Sequence, residues 1–190
     1  MAKGFLADEK KSAKYLAKCD TLILQRDGEK IYISDGHILV KVNTGMYNAV
    51  FRIASPRFID LQDGQSVRAN NKRELPTECG KYGFDKMIPA DGIPVEVTPY
   101  KIEVEENNLD LRVCFTADGE KVFLNDGYYT NLKCFNPSGV WFGNNYKTPV
   151  MSSFNNDIAV MILPVNRNGI DCKYDIYNVD EVNRRISRIA

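Results

Sequence analysis

A single α+β domain built on antiparallel strands is the fold class this sequence predicts. Three observations carry it: a helix-forming run over residues 6–19, short alternating apolar runs separated by Asp-Gly turns, and the return of that order in the second half. The chain has 190 residues, 44% of them hydrophobic and 26% charged, which is enough apolar material to close a core. Whole-chain disorder is therefore excluded. No apolar run reaches the roughly 18 to 20 residues of a membrane helix. The start, Met1-Ala2-Lys3-Gly4-Phe5-Leu6, turns charged before a signal-peptide core could form, so a soluble, cytoplasmic protein with no membrane partner is expected. Lys and Arg together number 25 and so do Asp and Glu, so a nucleic-acid surface would have to be local.

Residues 6–19 hold good helix formers without Gly or Pro and place Leu6, Ala13, Leu16 and Ala17 on one face, the pattern of a short amphipathic helix. Thr21 to Gln25 and Lys30 to Ser34 flank Asp27-Gly28, a hairpin signal, and Asp35-Gly36 turns the chain into His37 to Val42. From Asn43 to about Ile93 the pattern weakens among Pro56, Pro76 and Pro89. That stretch reads as an insertion at about 44–94, with Tyr47–Ile53 and Arg57–Leu61 as short strands. Strand pattern resumes at Val95–Thr98, Tyr100–Glu105, Leu109–Thr116 and Lys121–Leu124. Asn125-Asp126 then offers an N-cap to a second helix, with Tyr128, Tyr129, Leu132 and Phe135 at helical spacing. Val140–Gly143, Thr148–Phe154 and Ile158–Val165 complete the strands.

Helix and three-strand meander thus occur twice, a duplicated β-α-β-β-β arrangement with two helices on antiparallel sheets. The domain is expected to span 1–165. Residues 166–190 form a C-terminal extension, whose Val179, Val182, Ile186 and Ile189 make one stripe of an amphipathic helix with Arg184, Arg185 and Arg188 off it. Such a helix must dock, either on its own domain or on a partner chain.

Chemistry-bearing residues are sparse. Cys19, Cys79, Cys114, Cys134 and Cys172 are odd in number, far apart and without a Cys-x-x-Cys pair, and the single histidine, His37, has no ligand cluster beside it in sequence. No metal, cofactor or catalytic residue is expected. An enzymatic reading would seek paired carboxylates among Glu103, Glu105, Glu106 and Asp110, but Glu103 and Glu105 point the same way on a strand facing water and read as solvated surface.

The segment Ile33-Ser34-Asp35-Gly36-His37-Ile38-Leu39-Val40 resembles the Thr-Asp-Gly-His-Arg-Leu-Ala strand of the bacterial DNA polymerase III β subunit, the replicative sliding clamp. Lys101 to Leu111, Val122 to Phe135 and the closing Ala159-Val160-Met161-Ile162-Leu163-Pro164-Val165 are similar in order to that family's last domain. The resemblance covers residues 6–43 and 95–165 and implies the clamp fold. It also implies a non-enzymatic, DNA-associated or replication-accessory module, of mobile-element or phage origin, able to oligomerise. The alternative is a clamp-fold protein-interaction module that does not encircle DNA.

Two sites follow from it. Clamp helices present cations to phosphates, and Lys10, Lys14 and Lys18 recur at i, i+4, i+8 with Lys11 beside them and Lys133 on the second helix, implying weak, sequence-independent contact with duplex DNA. Clamps also hold replication and repair proteins through an apolar peptide pocket. Carried over, that pocket comprises Gly36, His37, Leu39, Leu163, Pro164 and Val165, with Ile38 and Asn166 standing where the family has arginines. The family builds it from two adjacent domains.

Overall fold

The computed structural model describes residues 5–71, 75–87, 93–104, 109–116, 119, 121–136, 139–143, 150–154 and 158–165. The expected C-terminal helix and Cys172 lie outside them. Helix α1 spans Phe5–Leu16 and buries Glu9, Ser12, Ala13 and Leu16 at helical spacing, leaving Lys10, Lys11 and Lys14 in water. It ends three residues before the expected boundary, its last turn tightened by Lys18 N donating to Tyr15 O and Cys19 N to Leu16 O, both at 3.0 Å. Arg57 ties down the chain just beyond it: Nη1 donates to Ala17 O at 2.7 Å and Cys19 O at 2.5 Å, and Nη2 to Asp20 O at 3.2 Å.

The meander is β1 (Thr21–Asp27), β2 (Lys30–Ser34) and β3 (Ile38–Asn43). Residues 47–53 are helical rather than strand: α2 (Thr44–Met46), a π-helical turn (Tyr47–Phe51) and α3 (Arg52–Ala54) run on without a break. The reason is spacing. Tyr47, Val50 and Phe51 recur at i, i+3 and i+4 and bury together, with Asn43 Oδ1 accepting from Met46 N at 2.7 Å as the cap. Residues 57–61 form no strand, and Phe58 and Leu61 are buried loop residues packed on the same core.

The segment from Asn43 to Ile93 also supplies β4 (Ser66–Asn70), β5 (Thr77–Glu78) and the one-turn helix α4 (Phe84–Met87). After it come β6 (Pro94–Val104), β7 (Leu109–Thr116), β8 (Lys121–Asn125), α5 (Asp126–Leu132) with a 3-10 turn at Lys133–Phe135, β9 (Trp141–Phe142), β10 (Val150–Phe154) and β11 (Ile158–Ile162). The two strands expected at 95–98 and 100–105 are one strand, β6, whose pairing with β7 shifts register between Val97 and Lys101.

All strand pairs are antiparallel, in the order β5-β4-β1-β2-β3-β11-β10-β9-β6-β7-β8. The two halves meet at β3 and β11, where Leu39 pairs Met161 and Ile38 pairs Ile162. Alternation gives each face its own core. On one side Leu22, Leu24, Ile31, Ile33, Val40, Val42 and Val160 pack under α1, the 44–54 helical stretch and α5, with Phe51 stacked on Phe135 at 5.7 Å. The expected α+β class and the two helices on one side stand, joined by a third helical segment. On the opposite face a smaller cluster, Tyr32, Leu39, Phe84 and Met161, sits over β2, β3 and β11.

Candidate functional site

The turn from β2 to β3 is set by local chemistry. Asp35 Oδ1 accepts from His37 N at 2.9 Å and Ile38 N at 3.0 Å, an Asx turn, and Gly36 adopts φ +94°, which only glycine takes without strain. Ser34 Oγ, itself donating to Ile38 O at 2.6 Å, accepts from Gly36 N at 3.1 Å. The turn is also tied to the helices, because Tyr128 Oη of α5 donates to Asp35 Oδ2 at 2.7 Å. Burial and the Asp35 carboxylate push the Tyr128 phenol up, and they push the nearby Cys19 thiol up to about 12, so that thiol stays protonated.

Beside this turn the chain leaving β11 continues the ladder, Leu163 N donating to His37 O at 2.8 Å. Gly36, His37, Leu39 and Leu163 consequently line one apolar cavity of about 510 Å³, together with Ile23, Ser34, Ile38, Tyr82, Phe84, Met87 and Met161. Four of the six expected pocket residues are thus brought together by one strand pair. Pro164 and Val165 point elsewhere: Pro164 bridges Leu124, and Val165 donates its N–H to Phe123 O at 2.8 Å and packs on the cluster of Ile102, Leu111 and Phe123.

The far wall is a strap over residues 81–87, which the sequence reading missed. Gln25, buried to 1% exposure on β1, holds it with both ends of its amide: Tyr82 N donates to Gln25 Oε1 at 2.8 Å, and Gln25 Nε2 donates to Tyr82 O at 3.0 Å. Lys81 Nζ meets Asp27 Oδ1 at 3.1 Å. Tyr82 and Phe84 stack at 5.2 Å, and Phe84 lies 5.8 Å from Tyr32. The signal available in sequence was the aromatic pair Tyr82-Gly83-Phe84 in an otherwise polar stretch. Met161 lay within the Ala159–Val165 segment singled out, but only the strand parity shows that it faces the cavity.

The other expected cations are placed as follows. Lys10, Lys11, Lys14 and Lys18 are exposed on or just after α1, Lys11 pairing with Asp8 at 3.3 Å, and Lys133 is exposed in the 3-10 turn after α5. A second charged group surrounds Asp126, 5% exposed, which receives Arg112 Nε at 2.8 Å and Lys101 Nζ at 2.5 Å while Arg112 lies 5.1 Å over the Tyr129 ring. Burial alone would raise this carboxyl, but the hydrogen bonds from Lys101 and Arg112 outweigh it and hold the carboxyl below the usual range. Its partners are all internal, so it fastens the first turn of α5 to β6 and β7. Glu103 and Asp110 are exposed cross-strand partners, Asp110 meeting Lys101 at 3.7 Å, and Glu105 and Glu106 lie outside the described residues. Among the described residues no group of three or more His, Cys, Asp or Glu could hold a metal, and no helix is long and apolar enough to cross a membrane.

No protein-family model matches the sequence, and no curated protein does. Solved structures do match. A DNA polymerase III beta subunit from Eubacterium rectale is similar at 11% identity and a TM-score of 0.43, over 85% of this chain and 64% of that one. The subunit from Borrelia burgdorferi, solved in complex with a natural product, is similar at 8% identity and a TM-score of 0.40, over 87% of this chain and 66% of that one. The subunit from Pseudomonas aeruginosa gives 10% identity and a TM-score of 0.36, over 87% of this chain and 68% of that one. They are of the same family as the segments resembled in sequence. The likeness is one of fold, and the chain spans less than two thirds of the length of the Eubacterium protein.

Proposed function

We propose that this chain is a non-enzymatic, clamp-like docking module that holds a short linear peptide of another protein in the cavity between β3, β11 and the 81–87 strap. The observation that supports it is the convergence of Gly36, His37, Leu39 and Leu163 on one open apolar cavity. Its volume lies in the range of ligand pockets, roughly 300 to 1,000 Å³. Strands β3 and β11 are paired to each other, so the peptide does not add to a sheet edge; it lies across the face and inserts side chains. Random linear peptides displayed on phage and selected on the immobilised chain test the reading. A recurring apolar motif, bound at least tenfold more weakly by Leu163→Asp, is expected; no enrichment, or indifference to Leu163→Asp, discards it.

A second reading, contact with duplex DNA, is favoured by the exposure of Lys10, Lys11 and Lys14 on α1 with Lys18 just after it. Reversing the charge of Lys10, Lys14 and Lys18 should abolish low-salt binding in a mobility-shift titration. Unchanged affinity would discard this reading and leave the peptide pocket intact.

A further inference from the structure

We propose that residues 166–190 dock on the face of β6, β7 and β8 that points away from α5, with Val179, Val182, Ile186 and Ile189 as the docking stripe. Strand parity defines that face. On β7, Leu109, Leu111, Val113 and Phe115 stand on one side, whereas Arg112 and Cys114 stand on the other, Arg112 reaching Asp126 of α5 and Cys114 joining the helix-covered core. The register sets Ile102 of β6 opposite Leu111 and Phe123 of β8 opposite Val113. Ile102, Leu111, Val113, Phe115 and Phe123 form a core of their own, no member more than 7% exposed.

A sheet is one layer thick, so an apolar row on its face needs a second layer over it. Among the described residues, the other apolar side chains packed on this cluster are Tyr100, Leu109 and Val165. Tyr100 and Leu109 belong to β6 and β7 themselves, so of these three Val165 alone comes from outside the three strands. The 81–87 strap serves the other half of the sheet, over Tyr32, Leu39 and Met161. Val165 marks where the occupant enters: its N–H donates to Phe123 O at 2.8 Å and its side chain lies on the cluster, so residue 166 starts at this face. Tethering there gives the following residues an effective concentration on the order of millimolar, which a separate molecule would have to match. The lengths agree as well. The chain between Val165 and Val179 reaches about 40 Å when extended, enough to turn back over the strands. As a helix, Val179 to Ile189 rise about 15 Å, and Leu109 to Phe115 run about 20 Å along β7. Arg184, Arg185 and Arg188 lie off the stripe, as the water-facing side of a docked helix requires.

The test substitutes the photoreactive residue benzoylphenylalanine for Ile186 in the full chain, irradiates it and maps the product by mass spectrometry. The expected product keeps the monomer mass and carries its crosslink on β6, β7 or β8, at or beside Tyr100, Ile102, Leu111 or Phe123. A crosslink to any other segment of the same chain, a product of twice the mass, which would make a second copy the occupant, or no crosslink at all overturns the proposal. A second measurement reads the burial in the otherwise intact chain. Val182→Asp combined with Ile186→Asp should lower the melting temperature by at least about 5 °C, because two docked apolar side chains are lost. Arg184→Glu combined with Arg188→Glu, off the stripe, should melt with the parent. A Val182→Asp, Ile186→Asp variant that melts with the parent, or equal losses in both double variants, overturns the assignment of the stripe to this face.

Discussion

The two faces of the central strands are covered by different means. Toward the helices, three helical segments seal the sheet with buried residues such as Leu16, Val50 and Leu132, and Phe51, in contact with Tyr47, Phe58 and Phe135, is fully buried. Toward the other side the cover is a seven-residue strap, 81–87, held by one glutamine side chain and an exposed ion pair. Helices interdigitate along their whole length and leave no room, whereas a strap crosses the strands once and leaves a cavity beside it. The helix-covered face holds the larger core, and the strap-covered face holds the cavity described above.

The largest expected effect breaks the helix side. Phe51→Ala should cost about 3 to 5 kcal/mol and lower the melting temperature by roughly 10 °C in a chain of this size. Phe84→Ala, on the strap, should cost less than half as much, because its neighbours can settle into the existing cavity. Equal losses in calorimetry would show that the strap belongs to the same cooperative core and would end the contrast.

Next in size is a flaw within the sealed face. Glu9 is 3% exposed between α1 and the 3-10 turn, and its Oε2 has no hydrogen-bond partner. Burial, and secondarily Asp8, raise its carboxyl above the ordinary value despite an opposing backbone hydrogen bond. The native state therefore holds this proton to higher pH than the unfolded chain does. The stability this contributes is complete below the unfolded value and is lost as pH rises through the folded one. Glu9→Gln should flatten stability against pH in that window and, near neutrality, raise stability by about 1 to 2 kcal/mol. Asp126 behaves oppositely: its lowered carboxyl contributes stability above the ordinary carboxylate range that is lost as pH falls through the folded value. A melting profile of Glu9→Gln parallel to the parent from pH 4 to 8 would show that Glu9 does not titrate in this way.

A smaller effect joins the two faces. Tyr128→Phe removes the bond from α5 to Asp35 and should cost about 1 kcal/mol, with a several-fold loss of peptide affinity because the Gly36-His37 rim is less firmly placed. Loss of stability with peptide affinity unchanged would show that Asp35 holds the rim by its Asx turn alone. The smallest effect on folding is expected at Met87, 47% exposed: Met87→Ala should move stability by less than about 0.5 kcal/mol while weakening peptide binding. A melt clearly below the parent's would show that Met87 belongs to the core.

Periodicity and turn chemistry carried much of this architecture. Asp27-Gly28 and Asp35-Gly36 act within a few residues, and the stripe of Ala13 and Leu16 depends only on helical spacing, so α1, the β1–β3 meander and α5 could be read directly. The helical stretch 44–54 was not, because Tyr47, Val50 and Phe51 are β-formers by propensity, and their helical spacing prevails only where Phe58 and Phe135 offer aromatic packing. The cavity divides in the same way. Gly36, His37, Leu39 and Leu163 sit in segments whose pattern pointed to them, but their meeting depends on β3 pairing with β11, about 120 residues apart in sequence. Tyr82, Phe84 and Met87 join them because Gln25 holds the strap against β1. Local residues fix turns and periods through short-range sterics and hydrogen bonds, whereas which distant strands pair, and which face a loop then covers, is decided by how the whole chain buries its apolar surface.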